Sequence, residues 1–540
     1  MSDPFPAPET LDPELVEQLK ALLPEPLLEQ LNGSLSREQQ RLLLTQERLR
    51  FAEYKVRVLE ERLRLIRIHK YGPGSEKLSD AQLELLEAEP GVSAAEVAAE
   101  GQREPLIAPR SAKPRRPHPG RQQWPAELPR VEQLIACRPE HCVCHQCGRP
   151  TVVIGYEQSE QLDVEAPKYF VRVWKREKRA CKACEEQGVT CAPLPARIIE
   201  KGLASDRVVI DAVVSKYADH VPLYRQSVIL ERETGLSISR ATLDGWVMQV
   251  GELLRPMSAA MRQELLSGPY LQADETPVDV QSGRLRGKNH QAYLWQYSRP
   301  GGPVVFDFRM GRDRSGPKAF LGNFDGLLQT DGYTAYDQVG GPKLVHVACW
   351  SHARRKFFEA LEANPQDAAA RGIVAHIDRL FAIDGQAREA GLDPPARGAL
   401  RQAHAPPLVA ELKSQVEAAR SGALPKSLLA QACAYTLNLW GRLTRFLEHP
   451  EVELSTNLAE NSMRPVALGR RNWLHLGSEQ AGPRVAAILS VVESCRRLKV
   501  PVRAYLASVL PGLGDWPLRR IGELTPAAWA AHHQSPKAEG

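Results

Sequence analysis

Between Leu35 and Ile66 the apolar positions return every seven residues. Leu35, Leu42, Leu49, Val56 and Leu63 form one seam, and Leu59 and Ile66 add the second seam position in the last two heptads. Arg, Glu and Gln fill the space between. This spacing predicts one long helix over about 35–69 with a narrow apolar stripe. The stripe suits a short coiled coil that joins two copies. It also suits an amphipathic helix packed on its own chain, because Glu38, Thr45 and Ala52 interrupt the second seam in the earlier heptads. Tyr71-Gly-Pro-Gly stops the pattern, as Gly and Pro do.

The period then disappears. An Ala/Glu-rich stretch and a Pro-, Arg- and Gln-rich stretch read together as a flexible basic linker over 78–130. From Thr151 to Lys175 apolar and polar residues alternate, which predicts strands. Residues 206–255 read as helical. Tyr224 to Arg232 predicts one helix, Glu233 to Ile238 a turn at Gly235, and Ser239 to Val250 a second helix carrying Arg240. Such a pair is either a helix-turn-helix whose second helix enters the major groove or a packed helical hairpin.

From Tyr270 the period changes to two. Tyr270 to Val280, Ala292 to Tyr297 and Val304 to Phe308 predict an antiparallel meander. Gly326 to Thr330 predicts the next strand, and a helix starts near Ser351. Residues 360–450 are Ala/Leu-rich and helical, with breaks expected at Pro394-Pro395 and Pro406-Pro407. Ala486 to Leu498 and Pro501 to Leu510 predict closing helices.

Composition changes this picture little. With 540 residues, 43% of them hydrophobic, the chain has ample core for three or four modules. No apolar run is long enough for a membrane span, and the N-terminus has no secretory pattern, so a cytoplasmic location is expected. The net charge of +5 says less than its distribution. Arg110, Lys113, Arg115, Arg116 and Arg121 crowd one stretch, and Lys168, Arg172, Lys175, Arg176, Lys178, Arg179 and Lys182 crowd another. Stripes of this kind suit phosphate backbones or form ordinary solvated surface.

Cys144-x-x-Cys147 and Cys181-x-x-Cys184 make two knuckles. Outside an oxidising compartment, this spacing favours one tetrahedral zinc ion, as in a zinc ribbon. Cys142 is a competing ligand, so the set stays open at that position.

Three acidic residues sit in distinctive strings. Asp274 lies in Leu271-Gln-Ala-Asp-Glu-Thr-Pro277, Asp331 in Leu327-Leu-Gln-Thr-Asp-Gly-Tyr-Thr-Ala-Tyr336, and Glu460 in Asn457-Leu-Ala-Glu-Asn-Ser-Met-Arg-Pro465. Two Asp from strands and a Glu from a later helix can converge on divalent metal. Two ions roughly 3.5–4 Å apart activate a water or sugar hydroxyl and stabilise the leaving oxygen of a phosphodiester. Mg2+ or Mn2+ suits this oxygen-only set. Arg464, one turn after Glu460, would orient its carboxylate or clamp a phosphate. Glu275 alternates to the other face. His352, with Cys349 at Cys-x-x-His spacing, lacks two ligands for a zinc site and reads as structural, beside the pocket. Arg354, Arg355 and Lys356 either reach DNA phosphates or form the solvated face of their helix.

The strings also resemble a family. Lys70-Tyr-Gly-Pro-Gly-Ser-Glu-Lys77, the Cys144/Cys147 pair, Ser215-Lys-Tyr-Ala-Asp-His-Val-Pro-Leu-Tyr-Arg225, Asp274-Glu-Thr-Pro277, Cys349-Trp-Ser-His-Ala-Arg-Arg-Lys-Phe-Phe358 and Gly469-Arg-Arg-Asn-Trp473 follow one another as in bacterial transposases of insertion sequence family sixty-six. The tail departs from the family pattern, with Leu524-Thr-Pro-Ala-Ala-Trp529 in place of its usual ending. The resemblance implies a DDE transposase with a ribonuclease-H-like core, and Asp274, Asp331 and Glu460 as its metal ligands. It implies one structural zinc on Cys144, Cys147, Cys181 and Cys184. It implies double-stranded DNA, both transposon ends and target, as the partner. Lys168, Arg172, Lys175, Arg176, Arg240, His352, Arg354, Arg355, Lys356 and Arg464 are the expected DNA-binding residues. A homodimer or higher oligomer, small accessory proteins of the same element and a place at the nucleoid are further expectations. The alternative is a non-catalytic zinc-ribbon and helix-turn-helix regulator or a transposase relic; a structure-specific nuclease on the same core is a second rival.

The expected fold class is multidomain α+β. It comprises a helical zipper region (1–77), the basic linker (78–130), a zinc ribbon (131–195) and a helix-turn-helix region (196–262). A ribonuclease-H-like core in two parts (263–359 and 451–498) follows, interrupted by an all-helical insertion (360–450), and a helical C-terminal region (499–540) completes the chain.

Overall fold

The computed structural model describes residues 24–71, 149–150, 169–180, 189–200, 202, 204–281 and 288–534. Contacts divide the chain into two units, one of residues 108–194 with 233–235 and one of the rest. The linker and Cys144, Cys147, Cys181, Cys184 and Lys168 lie outside the described residues.

In the larger unit, helix α1 (Glu25–Tyr71) runs for 47 residues, longer at both ends than its heptads predict. Leu42, Leu49, Val56, Leu59 and Leu63 on its seam are 47–56% exposed.

In the smaller unit, strands β1 (Lys178–Ala180) and β2 (Val189–Cys191) pair antiparallel, Lys178 opposite Cys191. They bracket positions 181–188. Arg172, Lys175 and Arg176 stand on the exposed run before β1. The Arg172 guanidinium lies 5.8 Å from the Phe170 ring and 5.7 Å from the Trp174 ring. Arg176 Nε donates to the Ala192 carbonyl at 2.6 Å.

Next in the chain come α2 (Asp206–Tyr217), α3 (Leu223–Thr234) and α4 (Arg240–Leu266), which belong to the larger unit except for the last two residues of α3. Gly235 turns the chain at φ +70°, and the Ser239 hydroxyl caps α4 by accepting from the Thr242 N–H at 3.1 Å. Expected to end at Val250, α4 runs on through Pro256 to Leu266. Leu254, Met257, Met261 and Leu265 keep its buried stripe at helical spacing, and that packing outweighs the proline.

The sheet consists of β3 (Tyr270–Gln281), β4 (Asn289–Ser298), β5 (Val304–Arg309), β6 (Leu327–Thr330) and β7 (Val345–Ala348) in the order β5-β4-β3-β6-β7. The first three are antiparallel, as the meander predicts; β6 lies parallel to β3, and β7 parallel to β6. Helix α5 (Ser315–Leu321) and strand β7 were not expected. With seven and four residues, each is too short for its period to register.

Helix α6 (Trp350–Ala363) leads into the helices α7 (Ala368–Glu389), α8 (Pro394–Gly422) and α9 (Leu428–Asn438). This is the expected insertion with one correction. Pro394 and Pro395 open α8 after the Asp393 cap, but Pro406 and Pro407 lie inside it and the helix continues. Ala405, Val409, Leu412 and Val416 bury its face across that point. The pair Arg401–Asp384, each side chain 1% exposed, ties α8 to α7, and Arg401 Nη2 also donates to the Val452 carbonyl at 2.8 Å.

The chain returns through α10 (Asn457–Trp473), the two-residue strand β8 (His475–Leu476), α11 (Ala481–Arg497), α12 (Val502–Val509) and α13 (Pro526–Gln534). Strand β8 pairs with β3. One core joins the sheet to α4 and α11, and the second joins β6 and β7 to the insertion. The architecture is therefore multidomain mixed α/β, helix-rich, around one mixed sheet. None of the described helices is long and apolar enough to cross a membrane.

Candidate active site

The parallel register of β3 and β6 brings the two Asp to one level. Tyr270 faces Leu327, Leu271 faces Leu328 and Gln272 faces Gln329, a constant offset of 57 positions. The same offset carries Asp274 to Asp331. Side chains alternate along a strand, so Gln272 and Asp274 share a face of β3, while Asp331 follows β6 directly.

The two glutamines do the joining. Gln272 Nε2 donates to the Gln329 Oε1 at 3.1 Å, to the Tyr270 hydroxyl at 2.8 Å and to the Ser455 carbonyl at 3.1 Å. Gln329 Nε2 donates to the Glu453 carbonyl at 2.7 Å. The Glu453 N–H donates to the Tyr270 hydroxyl at 3.3 Å, and the Thr456 N–H to Cys349 Sγ at 3.3 Å. Segment 453–456 is thereby held against the strands just before α10 begins, and Glu460 lies in the first turn of α10. Farther along α10, Arg470 Nη1 donates to Thr276 Oγ1 at 2.9 Å and to the Pro277 carbonyl at 2.7 Å. Two ends of one helix are thus fixed to the strand of Asp274.

Asp274 accepts the Glu275 N–H at 2.9 Å. Burial, then the charges of Glu275, Asp331 and Glu460, push its carboxyl up to about 7. Asp331 ends β6 in a tight turn and accepts the Tyr333 N–H at 2.8 Å. Gly332 follows at φ +90°, and a Cβ there would stand 2.5 Å from Leu439 Cδ1. The Tyr435 hydroxyl of α9 donates to the Asp331 carbonyl, so the insertion also holds this turn.

His352 Nε2 stands 3.7 Å from Glu460 Oε1. Burial works against a charged imidazole there, but Cys349, Glu460 and Asp331 outweigh it and raise His352 to about 9. The cation beside Glu460 is thus His352; Arg464 is exposed on α10 without an ion pair to it. Glu275, nearly buried, is bound by Arg312 Nη2 at 2.7 Å and by the Tyr336 hydroxyl at 2.8 Å. Arg354 is engaged by Asp378, with Nε to Oδ1 at 2.7 Å and Nη2 to Oδ2 at 3.0 Å. Arg355, Lys356 and Arg240 are exposed, and Lys356 Nζ sits 4.9 Å from the Tyr435 ring centroid.

Among the described residues no three His, Cys, Asp or Glu side chains close on one metal position. The three carboxylates are near enough to raise Asp274 but stand apart as ligands. Their mutual repulsion and all-oxygen character fit divalent cations of the Mg2+ type.

Three family models match the chain. The transposase model of the IS66 family covers residues 201–484, just over half of the sequence and all three acidic residues. The chain belongs to the IS66 transposase family. A second model, described as transposase C of IS166 homeodomain, matches residues 58–132, and the zinc-finger binding domain of transposase IS66 matches 141–185. Two uncharacterized proteins of Sinorhizobium fredii are similar to this IS66 chain over most of its length. Protein y4qI is 32% identical over 432 residues, 77% of this chain and 78% of its own. Protein y4hP is 30% identical over 500 residues, 87% of this chain and 88% of its own.

Sequence reasoning missed Gln272, Gln329, Tyr270 and Arg470. A signal for the first two was present, since Leu-Gln-Ala-Asp274 and Leu-Gln-Thr-Asp331 repeat one pattern. A polar residue two positions before each acid, in otherwise apolar strands, marks a buried partner.

Proposed function

We propose that this IS66 chain is a DDE transposase that binds the ends of its insertion sequence, cuts there and joins the freed 3′ end to target DNA. The observation that carries the reading is the parallel register of β3 and β6, which sets Asp274 on β3 and Asp331 just after β6 toward the same end of adjacent strands, with the helix of Glu460 clamped beside them. The order β5-β4-β3-β6-β7 is what a ribonuclease-H-like core requires. The domains of this reading are the ones expected from the sequence.

In this reading Asp274, Asp331 and Glu460 are the oxygen donors for two Mg2+ or Mn2+ ions. Bound there, the ions supply activation of the attacking oxygen and stabilisation of the leaving one. His352 offsets the acidic charge, and Arg355, Lys356 and Arg464 contact phosphates. Arg354 keeps its place through Asp378. Arg172, Lys175 and Arg176, with Lys168, follow the end DNA, and Arg240 at the start of α4 reaches bases. One zinc on Cys144, Cys147, Cys181 and Cys184 completes the ribbon, with the paired strands β1 and β2 preceding and following the Cys181/Cys184 positions in the chain. The exposed seam of α1 joins two copies as a coiled coil, which suits a reaction on two DNA ends. Small proteins of the same element assist, and the complex works at the nucleoid.

The test is a strand-transfer assay with uncut and pre-cut ends. Asp274→Ala, Asp331→Ala and Glu460→Ala are expected to abolish cleavage and joining while end binding persists. Full joining by Asp331→Ala overturns the assignment. Cutting without joining by the native chain marks a nuclease, and binding without either marks a regulator.

A further inference from the structure

The Gly301–Gly302 turn of the β4–β5 hairpin, the first turns of α10 and the C-terminus of α11 line a cleft of about 320 Å3. Leu458, Asn461 and Ser462 form the α10 wall, and Arg496 and Arg497 the α11 wall. The two arginines differ in state. Arg496 is held by Glu493, with Nε to Oε2 at 2.7 Å, so its charge is neutralised. Arg497 donates only to neutral oxygens, Nη2 to the Arg299 carbonyl at 3.0 Å and Nη1 to Ser462 Oγ at 3.5 Å. No carboxylate pairs with it among the described residues. Burial lowers its guanidinium from the usual value, the mark of a charge taken out of water without a full counter-ion.

The opposite wall favours an anion too. It belongs to the first turns of the 17-residue helix α10, whose N-terminal end is the positive one and where the Thr456 side chain makes no cap bond. Asn461 adds an exposed amide. Leu458 and the open Gly301 backbone leave apolar room beside these donors, which suits the sugar next to a phosphate.

We propose that this cleft holds a backbone phosphate of the DNA strand engaged at the acidic site. The inference rests on the transposase reading above, because Asn461 directly follows Glu460 and a strand that reaches that carboxylate runs along α10. Arg497 is the phosphate ligand and Asn461 its second donor. Neither reads bases, so the cleft positions the strand without choosing its sequence.

The experiment measures end-duplex affinity against salt for the full chain in an Asp331→Asn background, where binding is not complicated by cutting. Arg497→Gln is expected to weaken binding about tenfold. It should also reduce the slope of log affinity against log salt by about 0.9, one phosphate contact. Arg497→Lys keeps the slope. An unchanged slope in a folded Arg497→Gln overturns the proposal. If that variant melts early, Asn461→Asp decides, since its exposed side chain puts a carboxylate opposite Arg497. Weaker binding in Asn461→Asp supports the site, and native affinity and slope overturn it. Inorganic phosphate at matched ionic strength that shields Arg497 from arginine-specific modification, with duplex slopes unaltered by either variant, marks a free-anion site and also overturns it. Cutting by the native chain is scored separately, so a chain that does not cut removes the transposase reading and leaves the slopes to judge the cleft.

Discussion

Gln329 donates its side-chain amide to the Glu453 carbonyl at 2.7 Å, across 124 positions of chain. The bond closes the helical insertion at its base. It ties the strand that ends in Asp331 to the segment that leads into Glu460. Replacing it with the similar-sized leucine leaves the Glu453 carbonyl unpaired in a partly buried place, a cost of about 1 kcal/mol. With the buried bond from Gln272 also lost, Gln329→Leu is expected to lower stability by about 1–3 kcal/mol in urea titrations and to reduce cleavage far more than end binding. Native cleavage rates in a folded Gln329→Leu would show that the clasp does not position Glu460.

Asp274 links stability to pH and metal. Its folded value of about 7 lies above the ordinary 3.8. Between those values the folded chain keeps a proton that the unfolded chain has lost. Stability without divalent metal therefore falls as pH rises from about 4 to 7, and the full penalty stands above 7. Asp274→Asn is expected to be more stable than the native chain at pH 8 by on the order of 2 kcal/mol, and equal to it near pH 4. Mg2+ should narrow the gap at pH 8 by favouring the ionised carboxyl. Equal melting of the two proteins at pH 8 without divalent metal would contradict this account.

Gly332 combines φ +90° with a Leu439 contact that leaves no room for Cβ. Gly332→Ala is expected to cost on the order of 1–3 kcal/mol and to displace Asp331. Thermal melting measures the first effect and cleavage the second.

The Arg401–Asp384 pair is almost wholly buried. Arg401→Met leaves an uncompensated carboxylate and is expected to destabilise by about 3–5 kcal/mol, whereas Arg401→Met with Asp384→Leu recovers much of it. A double variant no more stable than the single one argues that the arginine's bonds to backbone carbonyls dominate.

Zinc content tests the ribbon. Cys181→Ser with Cys184→Ser is expected to lose the metal and weaken end binding while the sheet keeps its melting transition. Metal retained at the native ratio would refute the ligand set.

Local regularities were legible in the chain. The seven-residue period announces α1, the two-residue period announces β3, β4 and β5, and the strings around Asp274, Asp331 and Glu460 single out three acids among many. These depend on neighbours within one or two turns, so sequence carries them directly. Tertiary packing decided the rest. The 57-position offset that levels Asp274 with Asp331 comes from pairing between strands remote in sequence. Packing carried α8 through Pro406 and Pro407, where a break was expected, and α4 through Pro256, past its expected end at Val250. It also drew Arg354 to Asp378 and set His352 beside Glu460, because those partners come from different elements. A single strand or helix can show which residues share its face; only the closed fold determines what that face meets.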